Sequence, residues 1–268
     1  MSSFDPSSHQ QFYEYYANAS QTEETRQRFA SVRECILRVL KQKGTKAERL
    51  KIADVGCGAG TQCLMWAEIG CEVHGVDVNE PLLDLARKRA GEAGHSIDYR
   101  LGSAGNLPWP NESMDVCLVL ELLEHVAEWK VCLDEFSRIL RPGGILFLTT
   151  TNKLCPIQQE FILPLYSWYP APVKRFCERL AVTSRPSIAH FAKYPAVNWF
   201  SFYSLREALS ALGFKCLDRF DVIKSDSKGK LAGSLVELIR RNYLLRWLAH
   251  VGTPGTIVVA VKTESVSL

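Results

Sequence analysis

The chain has 268 residues, of which 47% are apolar and 23% are charged. This composition is typical of a globular protein with a sizeable core, and it excludes disordered, collagen-like and coiled-coil proteins. The longest apolar runs, such as residues 257–261, are far shorter than the roughly 20 residues that a membrane-spanning helix needs. We therefore expect no membrane-spanning segment.

The net charge of +3 is unevenly distributed along the chain. Residues 151–268 hold 16 Lys and Arg against 8 Asp and Glu, whereas residues 1–150 hold 16 against 21. A basic C-terminal part suggests an anionic partner or surface. The first residues lack the pattern of a secretory signal, and the nine cysteines form no Cys-x-x-Cys pair. We expect a cytoplasmic protein with reduced thiols and no zinc site.

Helical and extended patterns alternate along the first 150 residues. Apolar residues recur three or four positions apart before residue 50, which predicts an N-terminal helical cover over residues 1–49. Five β-type runs follow, at residues 51–55, 71–76, 97–101, 114–120 and 144–150. Repeated β-then-α units predict an α/β fold with a parallel, doubly wound sheet, and residues 50–150 would form its core.

Residues 151–203 interrupt this regularity with prolines, aromatic side chains and one helix that begins near Pro172. We interpret them as an inserted cap after the fifth strand. Residues 204–268 return to the earlier pattern, with a helix at 204–212 capped by Ser204, a strand at 214–220, a helical stretch at 231–250 and a last strand at 256–262. The predicted architecture is a single domain, residues 1–268, with a seven-stranded sheet whose last strand is antiparallel.

A glycine-rich turn, Asp54-Val-Gly-Cys-Gly-Ala-Gly60, ends the first predicted strand and opens the next helix. Glycines let a ligand approach the backbone closely, and a helix N-terminus offers unpaired N–H groups. Asp77 follows about 20 residues later, at the end of the second strand, where a carboxylate accepts hydrogen bonds from both ribose hydroxyls. We interpret the turn and the acid together as a nucleoside site.

Three other interpretations of this motif are a tight turn without a ligand, a nicotinamide dinucleotide site and a nucleoside triphosphate site. The glycines could form only a tight turn, with Asp77 capping the helix that starts at Pro81. The fingerprint for a nicotinamide dinucleotide, G-x-G-x-x-G, places its third glycine one residue later. The chain also has no P-loop lysine here, which argues against a nucleoside triphosphate.

At these residues the chain resembles the class I S-adenosylmethionine-dependent methyltransferases. The glycine-rich turn looks like their first motif, Asp77 like their ribose-binding acid, and Leu140-Arg-Pro-Gly-Gly144 like the turn before their fifth strand. The resemblance implies a Rossmann-like fold and S-adenosylmethionine as the cofactor. The cofactor contacts that it implies are Asp54, Gly56, Cys57, Gly58, Gly60, Asp77, Val78, Ser103, Ala104 and Leu120.

The segment after the third strand departs from that family. Many relatives place an acid there to contact the adenine amino group, whereas this chain has Gly102-Ser-Ala-Gly-Asn-Leu-Pro108. We expect Ser103 or the backbone of Ala104 to take over this contact. Trp109 either covers the base or packs in the core.

The segment Leu120-Glu-Leu-Leu-Glu-His-Val126 places two carboxylates and an imidazole after the fourth strand. Ligands of open α/β sheets bind at the carboxyl ends of strands, so we expect chemistry here. The pattern, the following Asn152 and the insertion resemble the O-methyltransferases of the ubiquinone pathway, in the methyltransferase type 11 group. In that family the matching residues hold Mg²⁺, which implies Glu121, Glu124 and His125 as metal ligands. Two alternatives are His125 as a general base with Glu124 beside it, and a structural role.

Residues 161–180 combine aromatic side chains with a short amphipathic helix that carries lysine and arginine. We expect this segment to close the acceptor pocket, either as a lid alone or as a lid that also docks on lipid. The basic residues are scattered and accompany no nucleic-acid-binding module, so we expect no nucleic acid partner. The aromatic residues at 12–16 predict either a helix that closes over the cofactor or a surface-packed cluster.

The sequence therefore predicts methyl transfer from S-adenosylmethionine to an oxygen of a small lipophilic acceptor, quinol-like or lipid-like. The enzyme would be cytoplasmic, free or associated with the inner face of the membrane. One alternative is a metal-independent methyltransferase of a sugar, glycolipid or secondary metabolite. Another is a non-catalytic scaffold with a methyltransferase fold. The sequence does not define the oligomeric state.

Overall fold

The computed structural model describes residues 17–18, 20–44, 49–189, 195–223 and 230–263. The aromatic residues at 12–16 lie outside this range. In chain order the elements are α1 (Glu23–Gln42), β1 (Lys51–Val55), α2 (Thr61–Ala67), β2 (Glu72–Asp77), α3 (Glu80–Glu92), β3 (Asp98–Leu101), β4 (Met114–Leu120), α4 (Trp129–Ile139), β5 (Leu140–Thr151), α5 (Ala171–Thr183), α6 (Phe202–Ala211), β6 (Phe214–Asp218), α7 (Arg219–Val222), α8 (Lys230–Arg241), α9 (Tyr243–Val251) and β7 (Gly255–Lys262).

The strands form a seven-stranded sheet in the order β3-β2-β1-β4-β5-β7-β6. β1 pairs in parallel with β2 and β4, β2 pairs in parallel with β3, and β6 and β7 pair antiparallel. The predicted α/β fold, with an antiparallel last strand and an insertion after the fifth strand, is confirmed. In the register, Val55 lies beside Val76 and Val119, so β1, β2 and β4 end at one edge of the sheet.

The chain divides into two compact units, Met1–Val119 with Lys130–Ile145, and Leu120–Trp129 with Leu146–Leu268. In the first unit, the apolar face of α1 is buried and packs on α2, as its periodicity predicts. In the second unit, α6 packs on β6 and β7, and α8 packs on α9. The single-domain division made from the sequence stays a prediction.

Several predicted boundaries differ from the observed ones. β5 begins at Leu140, so the predicted turn at 140–144 is part of the strand, which passes through Gly143 with a φ of 78°. The cap of α6 is Ser201, and Ser204 is its partner in a capping box. Apolar periodicity does not distinguish these two serines, because both precede the same buried face.

The end of the chain also differs from its predicted pattern. β6 ends at Asp218, whose carboxylate accepts hydrogen bonds from the N–H groups of Phe220 and Asp221 and starts the short helix α7. The helical stretch at 231–250 is divided at Asn242, which caps α9 through the N–H of Leu245. A side-chain acceptor that competes with the regular backbone pattern explains both changes.

The nine cysteines are all free in the structure. Within the part of the chain that the structure describes, no helix is both long enough and apolar enough to cross a membrane.

Candidate cofactor site and acidic turn

The glycine-rich turn is held against the carboxyl end of β2. The N–H groups of Gly56 and Cys57 both donate to the carbonyl of Val76, at 2.8 and 3.2 Å. Gly60 has a φ of 75°, and a Cβ placed on it would contact the Tyr99 hydroxyl and lie 2.7 Å from the Ala86 Cβ. A left-handed φ and crowding together require glycine at this position.

Gly58 has a different function in the same turn. It also adopts a left-handed conformation, with a φ of 49°, but a Cβ placed on it would meet only the Leu82 side chain, at 4.0 Å. The space in front of Gly58 is therefore open, and its backbone is accessible to a ligand.

The carboxylate of Asp77 joins β2 to this turn. Its Oδ2 accepts a hydrogen bond from the N–H of Gly58 and its Oδ1 accepts one from the N–H of Asn79, both at 2.8 Å. A carboxylate oxygen has two lone-pair sites, so each oxygen can accept one more hydrogen bond, such as one from a ribose hydroxyl. The cap of α3 is Asn79, which accepts from the N–H of Leu82. The interpretation of Asp77 as only a helix cap is therefore wrong.

Asp54 and the two nearby cysteines lie beneath the turn. The buried carboxyl of Asp54 accepts a hydrogen bond from the Cys63 thiol at 3.2 Å, and burial raises the pKa of Asp54 to about 7. The Cys57 sulfur lies so close to Gly75 that a Cβ there would approach it to 2.9 Å. The cofactor contacts predicted for Asp54 and Cys57 stay predictions, since both side chains face the protein interior here.

Gln62, which the sequence analysis missed, lies directly after the turn in α2. Its side chain is buried, and neither its amide oxygen nor its amide nitrogen has a hydrogen-bond partner among the described residues. A buried amide without partners is costly, because it has lost its hydrogen bonds to water. Only its position after the glycines could have indicated it. The unpartnered amide, the open space at Gly58 and the remaining lone pairs of Asp77 fit a polar nucleoside cofactor.

The other predicted cofactor contacts lie at the same edge of the first unit. Val78 follows Asp77 and is 63% exposed, which suits an apolar contact with a planar ring. After β3, Ser103 is exposed and its hydroxyl accepts from the N–H of Gly105 at 3.3 Å, while Ala104 is buried. Trp109 is buried with its ring edge-on to His74 at 6.1 Å. This packing favours a core role for Trp109 over stacking on a base.

The acidic turn follows β4 in the second unit, where Leu120 is half-buried and Glu121 is exposed. Glu121 has a φ of 51°, and its N–H donates to the carbonyl of Thr149 at 3.0 Å. Left-handed backbone at a residue other than glycine costs of order 1–2 kcal/mol and is concentrated at functional sites. The next turn, a 3₁₀ helix at Leu123–His125, carries the buried Glu124 and the half-buried His125.

Hydrogen bonds connect the end of the insertion to this turn. The carbonyl of Glu124 accepts hydrogen bonds from the N–H groups of Val197 and Asn198, at 2.8 and 3.0 Å. The side-chain amide of Asn198 donates to the carbonyls of Leu123 and Val126, at 3.2 and 2.6 Å. Four hydrogen bonds therefore connect the acidic turn to the insertion, a connection that the sequence pattern did not reveal.

The Glu124 carboxyl is in an environment that favours its neutral form. Its Oε2 accepts a hydrogen bond from the Thr150 hydroxyl at 2.9 Å, and its Oε1 has no partner among the described residues. Burial, reinforced by the charges of Glu121 and Glu160, raises the pKa of Glu124 well above its usual value. Burial and Glu121 also raise the pKa of Glu160 to about 7. The sequence analysis missed Glu160, because it lies in an irregular part of the insertion.

The predicted magnesium site does not fit this arrangement. The charge of Glu121 raises the pKa of Glu124, so the two carboxyl groups lie near each other. However, no group of three His, Cys, Asp or Glu side chains in the described ranges has an arrangement that could hold a metal ion. We therefore derive no chemical step through Mg²⁺.

A buried charged cluster stabilises the C-terminal part of the second unit. Asp218 accepts hydrogen bonds from His250 at 2.8 Å and from Arg246 at 2.7 Å. Asn152, which the resemblance drew into the site, donates instead to the carbonyls of His250 and Thr253, both at 2.8 Å. These bonds give Asn152 a structural role at the end of β5.

A known protein family matches a continuous segment of this chain. Residues 53–148 match a family model described as a methyltransferase domain. Residues 53–148 thus resemble a methyltransferase domain, and the resemblance stated from the glycine-rich turn and Asp77 is confirmed for this segment.

Curated relatives share this region. The ubiquinone biosynthesis O-methyltransferase of Mesorhizobium japonicum is 36% identical over 135 residues, which cover 48% of this chain and 53% of that protein. The protein of the same name from Sinorhizobium medicae is 38% identical over 106 residues, which cover 40% of this chain and 43% of that protein. The chain thus matches about half the length of these relatives or less.

Solved structures extend the likeness beyond the matched segment. A protein from Pyrococcus horikoshii aligns with a TM-score of 0.58 at 18% identity, covering 93% of this chain and 99% of that one. An S-adenosylmethionine-dependent methyltransferase from Mesorhizobium loti aligns with a TM-score of 0.54 at 19% identity, covering 85% and 98%. At these identities the likeness shows the fold alone.

Proposed function

We propose that this protein is an S-adenosylmethionine-dependent O-methyltransferase whose acceptor is a small lipophilic molecule, quinol-like or lipid-like. The observation that carries the proposal is the bond between the Asp77 carboxylate and the Gly58 N–H, within a segment that matches a methyltransferase domain. The relatives named ubiquinone biosynthesis O-methyltransferase support transfer to oxygen and a lipophilic acceptor.

S-adenosylmethionine supplies a methyl group on a sulfonium, which is a good leaving group, so the protein mainly has to bind and orient the reactants. In our proposal Asp77 holds the ribose hydroxyls, and the open backbone at Gly58 receives the part of the cofactor next to the ribose. The exposed Val78 contacts the adenine ring, and Ser103 or the backbone of Ala104 contacts its amino group.

The acceptor hydroxyl must lose its proton as the oxygen takes the methyl group. We assign this proton transfer to His125, because an imidazole is the side chain that most often acts as a general base. Glu124 is held by Thr150 and by the insertion, and we propose that it orients the turn. Its oxygen Oε1, which has no partner among the described residues, can accept a hydrogen bond from the acceptor. In this proposal the transfer proceeds without a metal, because no group of three His, Cys, Asp or Glu side chains among the described residues could hold one.

Labelled S-adenosylmethionine, incubated with purified protein and with demethylated quinols or a lipid extract, tests this function. We expect a labelled product in the organic phase and unchanged turnover in excess EDTA. Loss of turnover in EDTA that Mg²⁺ restores would overturn metal independence. Cofactor binding without methylated product from any extract would instead support a non-catalytic scaffold.

Two variants at the acidic turn test the assigned residues. We expect His125→Asn to lower kcat by about 100-fold, within the range of general base catalysis, and Glu124→Gln to lower it less. The control is Glu128→Gln, an exposed carboxyl just beyond the turn. Equal activity of His125→Asn and wild type would remove His125 from the mechanism.

The insertion supports contact with a membrane surface as part of this proposal. Five large apolar side chains within residues 161–180 are exposed, beside the exposed Arg175 and Arg179. They are Ile162, Leu165, Trp168, Val173 and Phe176. The apolar stripe of α5 is thus only partly buried, with Cys177 and Ala181 in the core. Exposed apolar side chains next to cations suit a lipid interface.

Sedimentation with anionic liposomes tests this contact. We expect the double variant Trp168→Ser, Phe176→Ser to lose most of the bound fraction. Val182→Ser is a matched control, because Val182 is 61% exposed on the same helix but lies outside residues 161–180. Absence of wild-type sedimentation at low ionic strength would contradict the contact.

A further inference from the structure

A cleft of about 470 Å³ lies within the second unit. Its walls include Trp168, Trp199 and Trp247, and its polar side chains include Lys153, Lys174 and Ser167. This volume lies in the range of small-molecule sites, and such sites combine apolar walls with a few polar groups. None of these residues takes part in the acidic turn or the glycine-rich turn.

The two lysines place positive charge on the wall of the cleft. Lys174 donates a hydrogen bond to the carbonyl of Ser167 at 2.8 Å, and its ammonium lies 4.4 Å from the centre of the Trp199 ring. Burial lowers the pKa of Lys174 to about 8; the charge of Glu178 opposes this decrease and that of Lys153 adds to it. A bound anion would stabilise the charged form of Lys174, which burial disfavours.

Unpartnered polar atoms lie beside these cations. The Ser167 side chain is 5% exposed, lines the cleft, and its hydroxyl has no hydrogen-bond partner among the described residues. The Trp199 indole N–H is likewise buried without a partner in the described part of the chain. Both groups can donate hydrogen bonds, as an anion requires, and a buried donor without an acceptor is costly.

We propose that this cleft binds an anionic amphiphile, with its phosphate or carboxylate head between Lys153, Lys174 and the Ser167 hydroxyl and its apolar part against the three tryptophans. The two charges and the hydroxyl select the head group, and the indole rings select the apolar part. The inference concerns binding alone, so it holds whether or not the protein transfers methyl groups.

Titration with dodecyl phosphate below its micelle concentration tests the proposal. Three of the six tryptophans line the cleft, so intrinsic fluorescence reports occupancy, and calorimetry gives the Kd. We expect micromolar binding by wild type. Lys174→Met should weaken it about 10-fold or more, as expected for loss of a charge-assisted hydrogen bond, while the exposed Lys215→Met in the same unit serves as the control.

Ser167→Ala provides a second variant that should fold normally. Its hydroxyl makes no hydrogen bond in the free protein, so its removal should leave thermal stability unchanged and weaken dodecyl phosphate binding about 5-fold, as for one hydrogen bond. Comparison ligands separate the two parts of the site: inorganic phosphate should bind at least 10-fold more weakly, and so should uncharged dodecyl maltoside.

Three results would overturn the proposal. They are wild-type affinity for dodecyl phosphate in both Lys174→Met and Ser167→Ala, dodecyl maltoside binding as tightly as dodecyl phosphate, and inorganic phosphate binding as tightly as dodecyl phosphate. Because these measurements use protein without S-adenosylmethionine, their failure leaves the proposed methyl transfer unaffected.

Discussion

Replacement of Asp77 by alanine is the most direct test of the nucleoside site. In the structure each oxygen of this carboxylate accepts one backbone N–H, from Gly58 and from Asn79, and keeps one lone-pair site for a ribose hydroxyl. Asp77→Ala removes both ribose hydrogen bonds and also the acceptor that positions the turn at Gly58. Hydrogen bonds to charged groups contribute roughly 1.5–3 kcal/mol each.

The expected loss of binding free energy is therefore about 3 kcal/mol or more, which corresponds to a Kd raised by roughly 100-fold. Calorimetric titration with S-adenosylhomocysteine measures it, and circular dichroism verifies that the variant is folded. The control, Asp84→Ala, removes an exposed carboxylate of α3 that pairs with Arg87. A Kd for Asp77→Ala within about threefold of wild type would refute the assigned nucleoside site.

Three further predictions concern stability. Gly60→Ala should cost about 2–4 kcal/mol in urea unfolding through left-handed strain and crowding against Tyr99; Gly94→Ala, also left-handed but in open space, should cost only about 1 kcal/mol, and equal costs would contradict the packing argument. Burial alone would raise the pKa of Asp218, but the hydrogen bonds from His250 and Arg246 outweigh burial and hold this pKa below its usual value. The contribution of Asp218 to stability is therefore present above the unfolded pKa of about 3.9 and is lost as the pH falls below it. Asp218→Asn should lower the free energy of unfolding at pH 7 and flatten its acid dependence, and an unchanged profile would refute this. The pKa of Asp54 is shifted in the opposite direction, to about 7 in the folded protein. The free energy of unfolding should therefore fall as the pH rises from about 4 to 7, and Asp54→Asn should abolish that slope.

The sequence determined the elements of the sheet closely. The predicted run 114–120 matches β4, and 51–55 matches β1, because buried parallel strands are continuous apolar runs that periodicity detects. The glycine-rich turn and Asp77 were also predicted, since each needs a specific residue type whose spacing is visible in the chain. The insertion was recognised from its composition, but its internal structure was not.

Tertiary structure decided what depends on distant partners. Whether Glu121, Glu124 and His125 can form a metal site depends on how folding places them, and among the described residues no group of three such side chains could hold a metal ion. The hydrogen bonds from the Asn198 side chain to the carbonyls of Leu123 and Val126 join segments about 70 residues apart. No local pattern encodes such a contact.

The sequence by itself therefore determined the fold class and the residues that meet at the end of β1 and β2, because these follow from local backbone conformation and apolar periodicity. Only the tertiary structure decided which polar groups are left without partners, such as Gln62 and Ser167, and which cations meet in the cleft, as Lys153 and Lys174 do. Burial, hydrogen-bond satisfaction and charge proximity are properties of the packed chain, and they arise only when residues distant in sequence come together.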